Sequence, residues 1–233
     1  MKSMAADIVA ILHEDRLITC NLRGVVIDSL AIRTSIGENS RIARINDCKI
    51  AVTVPSNNLI QIVTMIAPTT KTDLRTPAGT IMTGGITCRM DILYVAFSDA
   101  IRLMDLSGQI QRVITIPSVK ILHSVNNDKL LCVYSKCDSD KTMSCLDFTS
   151  DSLYHFEGFP FRPEDITTDD IDNIIFYDDG AIWQADSDGK NIKMMISDHN
   201  YNQCKRLTYN KDSKILLTNP NDYGGVTLYR KLE

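Results

Sequence analysis

The sequence predicts an all-β protein, a six-bladed β-propeller whose blades contain three to four antiparallel strands. A pattern of apolar strand, polar turn and apolar strand recurs six times along the 233 residues. Successive copies are 33, 43, 37, 45 and 40 residues apart, close to the length of one propeller blade. Segments with helical spacing end within about two turns, at Gly, Asn or Asp, so no helix is expected.

The second strand of each repeat is its most regular element. It is apolar on both faces, as expected for a strand buried between neighbouring sheets. A turn rich in Asn or Asp precedes it, and these residues tolerate the left-handed backbone that tight turns require. The second strands are predicted to begin at Arg16, Lys49, Ile92, Lys129, Ile174 and Lys214.

The repeats form one domain over residues 1–233, without a Pro/Ser-rich linker. Third strands follow at 59–63, 100–104, 181–185 and 226–230, and outer strands follow the turns 106–108 and 186–189. The turn at 186–189 is a hairpin rather than a calcium loop, because no bidentate Glu follows it in register. The predicted blades are 6–34, 40–70, 84–116, 119–158, 163–197 and 205–232.

The ring is expected to close imperfectly. The sixth blade reaches its third strand at 226–230 without an outer strand, and only residues 1–5 precede the first predicted strand. Propellers commonly complete one blade with strands from both chain ends. The seam between blades 6 and 1 is therefore predicted to depend on side-chain packing alone. The chain would then be a piece of a longer protein or a degenerate copy, stabilised by upstream residues.

Composition restricts the partners and the compartment. The net charge of −4 offers no general attraction to nucleic acid. The seven cysteines form no C-x-x-C pair, and their odd number indicates a reducing compartment, so a cytoplasmic location is expected. Cys20 and Cys132 lie in apolar strands and are predicted to be buried free thiols.

The fifth repeat carries a family resemblance. Residues 162–169 and 173–178 resemble the NHL repeat, which runs Pro, Gly, Ile, Asp and then Asn-Ile-Tyr-Val and Asp. Asp165 stands where that family usually has Gly. Residues 51–55 and 101–105 resemble the divergent NHL/YVTN-like propellers at the C-terminal end of invertebrate tripartite-motif proteins.

This resemblance, which spans about residues 6–232, implies a substrate-recognition propeller of a ubiquitin ligase. The RING, B-boxes and coiled coil of that family are not present in the sequence, whose four His residues are isolated. We therefore expect a non-catalytic binding module with no cofactor and no metal, which recognises a protein or peptide.

The predicted partner site is the loop face, defined by the loops between second and third strands and the loops entering each blade. Phe161 and Arg162 are the most suggestive contacts, because aromatic and Arg side chains serve as interface anchors. The alternative is that Phe159 and Phe161 fill the gap between two blades. The candidate loop-face residues are Arg23, Arg41, Asn57, Asn58, Phe161, Arg162, Lys205, Arg206 and Tyr223.

Two other functions stay open. Some NHL propellers bind single-stranded RNA, and Arg23, Arg41, Arg44 and Arg89 provide basic side chains, although with few aromatics for stacking. Six-bladed propellers also include metal-dependent lactonases resembling gluconolactonase, whose ligands converge on the central channel.

Overall fold

The computed structural model describes residues 1–4, 7–13, 16–32, 39–66, 69–126, 128–135, 142–197, 204–220 and 226–230. Six antiparallel sheets are arranged around a central channel, which confirms the predicted six-bladed propeller. Five blades have four strands, and the sixth has three among the described residues.

The strands follow chain order within each blade, from the channel outward. They are β1 (Lys2–Ser3), β2 (Ile8–His13), β3 (Arg16–Asn21) and β4 (Val26–Ala31) in blade 1; β5 (Ile42–Asn46), β6 (Lys49–Val54), β7 (Leu59–Thr64) and β8 (Thr70–Arg75) in blade 2; β9 (Met82–Arg89), β10 (Ile92–Phe97), β11 (Ile101–Met104) and β12 (Ile110–Ile114) in blade 3; β13 (Val119–Val125), β14 (Lys129–Tyr134), β15 (Met143–Asp147) and β16 (Ser152–His155) in blade 4; β17 (Asp165–Thr168), β18 (Ile174–Asp178), β19 (Ala181–Ala185) and β20 (Lys193–Ser197) in blade 5; and β21 (Cys204–Asn210), β22 (Ile215–Pro220) and β23 (Thr227–Arg230) in blade 6.

The innermost strands β1, β5, β9, β13, β17 and β21 pack against one another in ring order. Two glycines in β9 permit the close approach. A Cβ at Gly84, whose φ is +104°, would lie 1.8 Å from the carbonyl oxygen of Asn39, and one at Gly85 would lie 2.9 Å from that of Lys120. Only Gly accepts both the backbone conformation and the contact at Gly84.

The described core consists of six apolar clusters, one between each pair of adjacent blades. The second strands contribute to the clusters on both sides. In β10, for example, Leu93 and Val95 pack toward blade 2, whereas Tyr94 and Ala96 pack toward blade 4. This explains why the second strands are apolar at consecutive positions, and it confirms the interpretation of that pattern.

The predicted strand order was wrong in blade 1. Arg16–Asn21 is the third strand, and the second strand is Ile8–His13, with the two-residue β1 on its channel side. Both strands are largely buried apolar runs, so composition alone did not separate them. Placing Ile8 as the start of the second strand also removes the unusually short first repeat.

The other predicted strands agree with the structure within a few residues. The third strands of blades 2, 3, 5 and 6 and the outer strands of blades 3 and 5 are present. Blade 2 extends beyond its predicted end, because β8 runs to Arg75. The turn after Asp186 is a hairpin turn in which the Gly189 amide donates to the Asp186 carbonyl.

The seam between blades 6 and 1 is closed by hydrogen bonds as well as by packing, so the expectation of packing alone was wrong. The Ser3 amide of β1 donates to Thr208 Oγ1 of β21 at 3.4 Å. A second bond bridges the short β1, since Arg206 in blade 6 donates to the Ser40 carbonyl before blade 2, at 3.2 Å.

The carboxylate of Asp165 is the hub of this closure. Its Oδ1 accepts from Arg41 of blade 2 at 2.7 Å, and its Oδ2 accepts from the Leu207 amide of blade 6 at 2.7 Å. Arg41 also donates to the Glu164 carbonyl at 3.3 Å. The Arg41 and Asp165 side chains are only 9% and 8% exposed. Blades 2, 5 and 6 are thereby joined around the part of the channel where blade 1 contributes only the two-residue strand β1.

Breaking this hub should destabilise the whole ring. We expect Asp165→Ala to lower the free energy of unfolding by about 3–5 kcal/mol, because it leaves the buried guanidinium of Arg41 without its partner. Urea unfolding measures the loss. Arg112→Ala is the matched control, since the pair it removes, with Asp151, also joins two blades but is about half exposed. It should cost less than about 1 kcal/mol. Equal losses in the two variants would contradict the role of Asp165 as the hub.

Candidate functional site

The predicted loop-face residues do not form one surface. Phe161 packs into the cluster between blades 4 and 5, with its ring centroid 4.6 Å from Trp183, 5.1 Å from Phe176 and 5.7 Å from Phe159. Phe159 is buried. The alternative in which these aromatics fill the gap between blades is therefore correct, and only Pro160 and Arg162 are exposed in the stretch 159–162.

Other predicted contacts are also structural. Arg41 is buried in the ion pair with Asp165, and the Asn58 side-chain amide donates to the Thr80 carbonyl at 2.7 Å. Asn58 has a left-handed backbone with φ of 48° and also accepts from the Met82 amide. Asn57 is exposed on the loop face.

Arg23 lies on the opposite face of the ring. It belongs to the turn between the third and fourth strands of blade 1, because β3 is the third strand rather than the second. We call this opposite face the turn face; it is formed by the turns between first and second and between third and fourth strands. Arg206 is half-buried at the channel. Tyr223 and the side chain of Lys205 lie outside the described residues.

The channel holds basic groups that are partly buried. Burial lowers the pKa of His123 well below its ordinary range, and the charges of Lys2 and Lys211 lower it further. His123 Nε2 lies 3.2 Å from Thr168 Oγ1 of the next blade. Burial also lowers the pKa of Lys2, and the negative charge of Asp165 opposes this effect. Neutral His123 thus contributes to the contact between blades 4 and 5.

An apolar cleft lies between blades 6 and 1, and we call it the seam cleft. Its volume is about 300 Å³. One wall comes from the second, third and fourth strands of blade 1, and the other from β22 and β23. The lining residues are Val9, Ile11, His13, Ile18, Cys20, Asn21, Leu22, Gly24, Val26, Leu217, Val226 and Leu228.

Two of the lining side chains, Val26 and Leu228, are themselves exposed, and so are the neighbours of Val26 in the sequence. Val25, Val26 and Ile27 are 58%, 58% and 56% exposed, and Leu228 is 43% exposed. The turn that presents them is held in place by Asn21, whose Oδ1 accepts from the backbone amides of Arg23 and Val25, each at 3.0 Å. Val25, Val26 and Ile27, which we call the apolar strip, therefore lie on a turn and a strand whose backbone is held by hydrogen bonds.

Blade 1 contacts its two neighbouring blades differently at the rim of the ring. Toward blade 2, Lys71 donates to the Ala31 carbonyl at 2.7 Å and Thr69 donates to Asp28 at 3.1 Å, which joins the two outer strands. Toward blade 6, the described residues contain no fourth strand that could reach β4. The cleft therefore lies where blade 6 lacks a described outer strand.

Sequence reasoning missed this site because it took β3 for the second strand of blade 1. The signal that could have found it is the run Val25-Val26-Ile27, which follows an Asn-containing turn and makes a regular outer strand once Ile8–His13 is recognised as the second strand.

Two further features of the described residues concern metal sites and membranes. Within the described ranges, no group of three or more His, Cys, Asp or Glu side chains is arranged to hold a metal ion. No described helix has the length and apolar character needed to cross a membrane. Five of the seven cysteines, Cys20, Cys48, Cys88, Cys132 and Cys145, are free thiols, and Cys20 and Cys132 are buried as predicted.

No protein-family model matches the chain, and no curated protein matches it either. Several solved structures match the chain in fold. A streptogramin B lyase superposes with a TM-score of 0.66 at 11% identity, over 100% of this chain and 82% of that one. Virginiamycin B lyase from Staphylococcus aureus gives 0.66 at 14% identity, over 98% and 83%. The Pan2 WD40 domain of Neurospora crassa gives 0.60 at 11% identity, over 91% and 68%.

These neighbours include enzymes and a WD40 domain, which is a fold commonly used for protein binding. At such low identity the likeness shows the propeller fold alone. The chain is a six-bladed β-propeller similar in fold to both groups.

Removing Phe161 should affect folding. We expect Phe161→Ala to lower the free energy of unfolding by about 2–4 kcal/mol, because the ring packs against three other aromatic rings. The exposed neighbour variant Arg162→Ala should change it by less than about 1 kcal/mol. Urea unfolding of both variants checks this. A Phe161→Ala protein as stable as the wild type would show that the ring does not contribute to the core.

Stability should depend on pH through His123. Its pKa is lowered in the folded state, so between about pH 5 and 6.5 the unfolded chain binds more protons and stability falls as the pH falls. The slope from this one group approaches about 1.4 kcal/mol per pH unit. His123→Gln should remove this slope relative to the wild type in urea unfolding at pH 5, 6 and 7. Parallel stability curves for the two proteins would contradict a neutral buried His123.

Proposed function

We propose that this propeller is a non-catalytic module that binds a protein partner through the seam cleft and the apolar strip beside it. The observation that carries the proposal is the coincidence of the two features. A cleft of about 300 Å³ with mostly apolar lining lies next to three consecutive apolar residues, Val25, Val26 and Ile27, that are more than half exposed.

Such a surface favours a protein partner on energetic grounds. Contiguous exposed apolar side chains are uncommon on monomers and usually mark interaction sites. Covering one aliphatic side chain of this size contributes roughly 1–2 kcal/mol. Val26 of blade 1 and Leu228 of blade 6 both line the cleft, and Val25 and Ile27 are exposed beside Val26. The surface is therefore suited to a partner that brings apolar side chains of its own.

The cleft is less suited to RNA. Single-stranded RNA is held by a positive groove with aromatic platforms. The described lining residues include neither Lys nor Arg and no aromatic ring other than the imidazole of His13. Protein binding is thus better supported than RNA binding by the chemistry of this surface.

The resemblance of residues 162–178 to the NHL repeat supports a finer proposal. The module would recognise substrates for a ubiquitin ligase of the tripartite-motif type, with the ligase chemistry outside this chain. It would act in the reducing cytoplasm, in keeping with its scattered free cysteines. Arg162 and Asn57 on the loop face would then form a secondary contact.

A photo-crosslinking residue placed at Val26 tests the proposed surface. Val113 is the matched control, because it also lies on an outer strand and is 50% exposed. In native cell extract, the probe at Val26 should give a discrete protein adduct that the probe at Val113 does not give. A third probe at Arg162 reports on the loop face.

Binding of the identified protein, purified, is then measured by calorimetry. Val26→Lys should weaken binding at least tenfold, because a charge would be buried in the apolar contact, whereas Val113→Lys should change it less than twofold. Equal loss in both variants, or an adduct at Arg162 alone, would move the site away from the cleft. An adduct that disappears on nuclease treatment would favour RNA instead.

A further inference from the structure

A small pocket lies on the turn face between blades 4 and 5, and we call it the turn-face pocket. Its volume is about 150 Å³, and it shares no lining residue with the seam cleft. In another protein, an engineered cavity of about 150 Å³ holds benzene. The turn-face pocket therefore has room for a ligand of about six heavy atoms.

The floor of the turn-face pocket is apolar and buried. It is formed by Val125, Leu131 and Cys145 of blade 4 and by Ile174 of blade 5, which all belong to the cluster between these two blades. Burial raises the pKa of the Cys145 thiol, so this side chain carries no charge. The floor favours an aliphatic group, because contact with buried apolar side chains removes that group from water.

The rim of the turn-face pocket carries two hydrogen-bond donors. Lys129 is half-buried at the start of β14, and Ser187 is exposed in the turn before β20. Among the residues that the structure describes, neither the Lys129 ammonium nor the Ser187 hydroxyl makes a hydrogen bond or an ion pair. An ammonium group can only donate, so a ligand at this rim needs an acceptor.

The carboxylate on the opposite wall does not neutralise Lys129. Asp172 Oδ1 accepts from Lys211 at 2.9 Å, and its Oδ2 accepts from Asn126 at 3.0 Å. Burial raises the pKa of Asp172, but these two hydrogen bonds outweigh burial and hold the pKa below its usual range. The negative charge of Asp172 is therefore matched by Lys211, and the positive charge of Lys129 is left for a ligand.

A second carboxylate near Lys129 belongs to Asp147. The two residues lie opposite each other in the register of β14 and β15. Asp147 Oδ1 accepts from the amides of Thr149 and Ser150, at 2.8 and 3.3 Å. Asp147 is thus held in its own turn, and within the described part of the chain it forms no ion pair with Lys129.

The acidic residues that flank Ser187 are also engaged. Asp186 Oδ2 accepts from Asn191 at 2.6 Å, and Asp188 forms an ion pair with Lys190 at 3.1 Å. These contacts lie within the turn itself. The donors of the rim therefore favour an anionic acceptor, and the floor favours an aliphatic body attached to it.

We propose that the turn-face pocket binds a small carboxylate that carries a short, branched aliphatic body. The carboxylate accepts hydrogen bonds from Lys129 and Ser187, and the aliphatic carbons rest on Leu131 and Ile174. Charge-assisted hydrogen bonds are roughly twice as strong as neutral ones. About four carbons and two oxygens match the available space, as in isobutyrate.

Isobutyrate is the test ligand, and isobutyramide is its uncharged counterpart of nearly the same shape. In methyl NMR spectra, the signals of Leu131 and Ile174 should move saturably with isobutyrate, with a Kd in the millimolar range. Isobutyramide should bind at least tenfold more weakly, because it offers Lys129 no negative charge. The absence of saturable shifts at these two residues, or equal affinity for the two compounds, would overturn the inference.

Two lysine variants separate the charge of Lys129 from the shape of the pocket. Lys129→Met should weaken isobutyrate binding at least tenfold and leave isobutyramide binding unchanged. Lys49→Met is the matched control, because Lys49 begins the second strand of blade 2 as Lys129 begins that of blade 4, and both are half-buried. It should change isobutyrate binding less than twofold. Equal effects of the two substitutions on isobutyrate binding would contradict the role of Lys129.

Two sources present this chemistry, a free short-chain acid and the C-terminal residue of a polypeptide. The peptide acetyl-Gly-Gly-Val, with a free C-terminus, distinguishes them. Binding of the peptide at least tenfold tighter than isobutyrate would identify a chain terminus as the ligand, whereas weaker binding would identify the free acid. Protein binding at the seam cleft is tested separately by the crosslinking residue at Val26, so either proposal can fail without the other.

Discussion

Closure of the ring depends on the carboxylate of Asp165. Blade 1 contributes only Lys2 and Ser3 to the innermost layer, so the neighbouring blades lack a full-length strand to pack against. The Asp165 side chain compensates, because it accepts hydrogen bonds from blade 2 through Arg41 and from blade 6 through the Leu207 amide. A buried ion pair is favourable only when additional hydrogen bonds satisfy both partners, and the Glu164 carbonyl provides one more for Arg41. This connection holds blades 2, 5 and 6 together around the two-residue β1.

The sequence was sufficient to predict the fold because the apolar pattern of the second strand recurs in every blade. Six second strands packed between two neighbouring sheets must be apolar on both faces, and that requirement is visible as runs such as Ile92–Phe97. In blade 1 the same apolar pattern led to the wrong strand order. Ile8–His13 and Arg16–Asn21 are both largely buried, and the strand that would have distinguished them, β1, is too short to show periodicity. One misplaced strand moved Arg23 to the wrong face of the ring.

The candidate site was harder to predict, for reasons of distance and packing. Arg41 finds its partner 124 residues away, which no local pattern reveals. Phe161 has the composition of an interface anchor, yet Trp183 and Phe176 enclose it. One local signal was informative: Asp165 departs from the glycine usual in the repeat it resembles, and this departure marks the residue that joins three blades. A sixth blade that stops at its third strand was also predicted, and the described residues of blade 6 form three strands. The apolar cleft beside it required the correct strand order in blade 1.

The same region of the ring combines a buried polar connection at the channel with an open apolar cleft at the rim. At the channel, the Asp165 hub and the bond from Arg206 to the Ser40 carbonyl hold blades 6 and 2 around the short β1. At the rim, the described part of blade 6 has no fourth strand, and the cleft remains open between Val26 and Leu228. The Asp165 hydrogen bonds lie at the channel and the cleft lies at the rim, so a partner in the cleft would leave those hydrogen bonds in place.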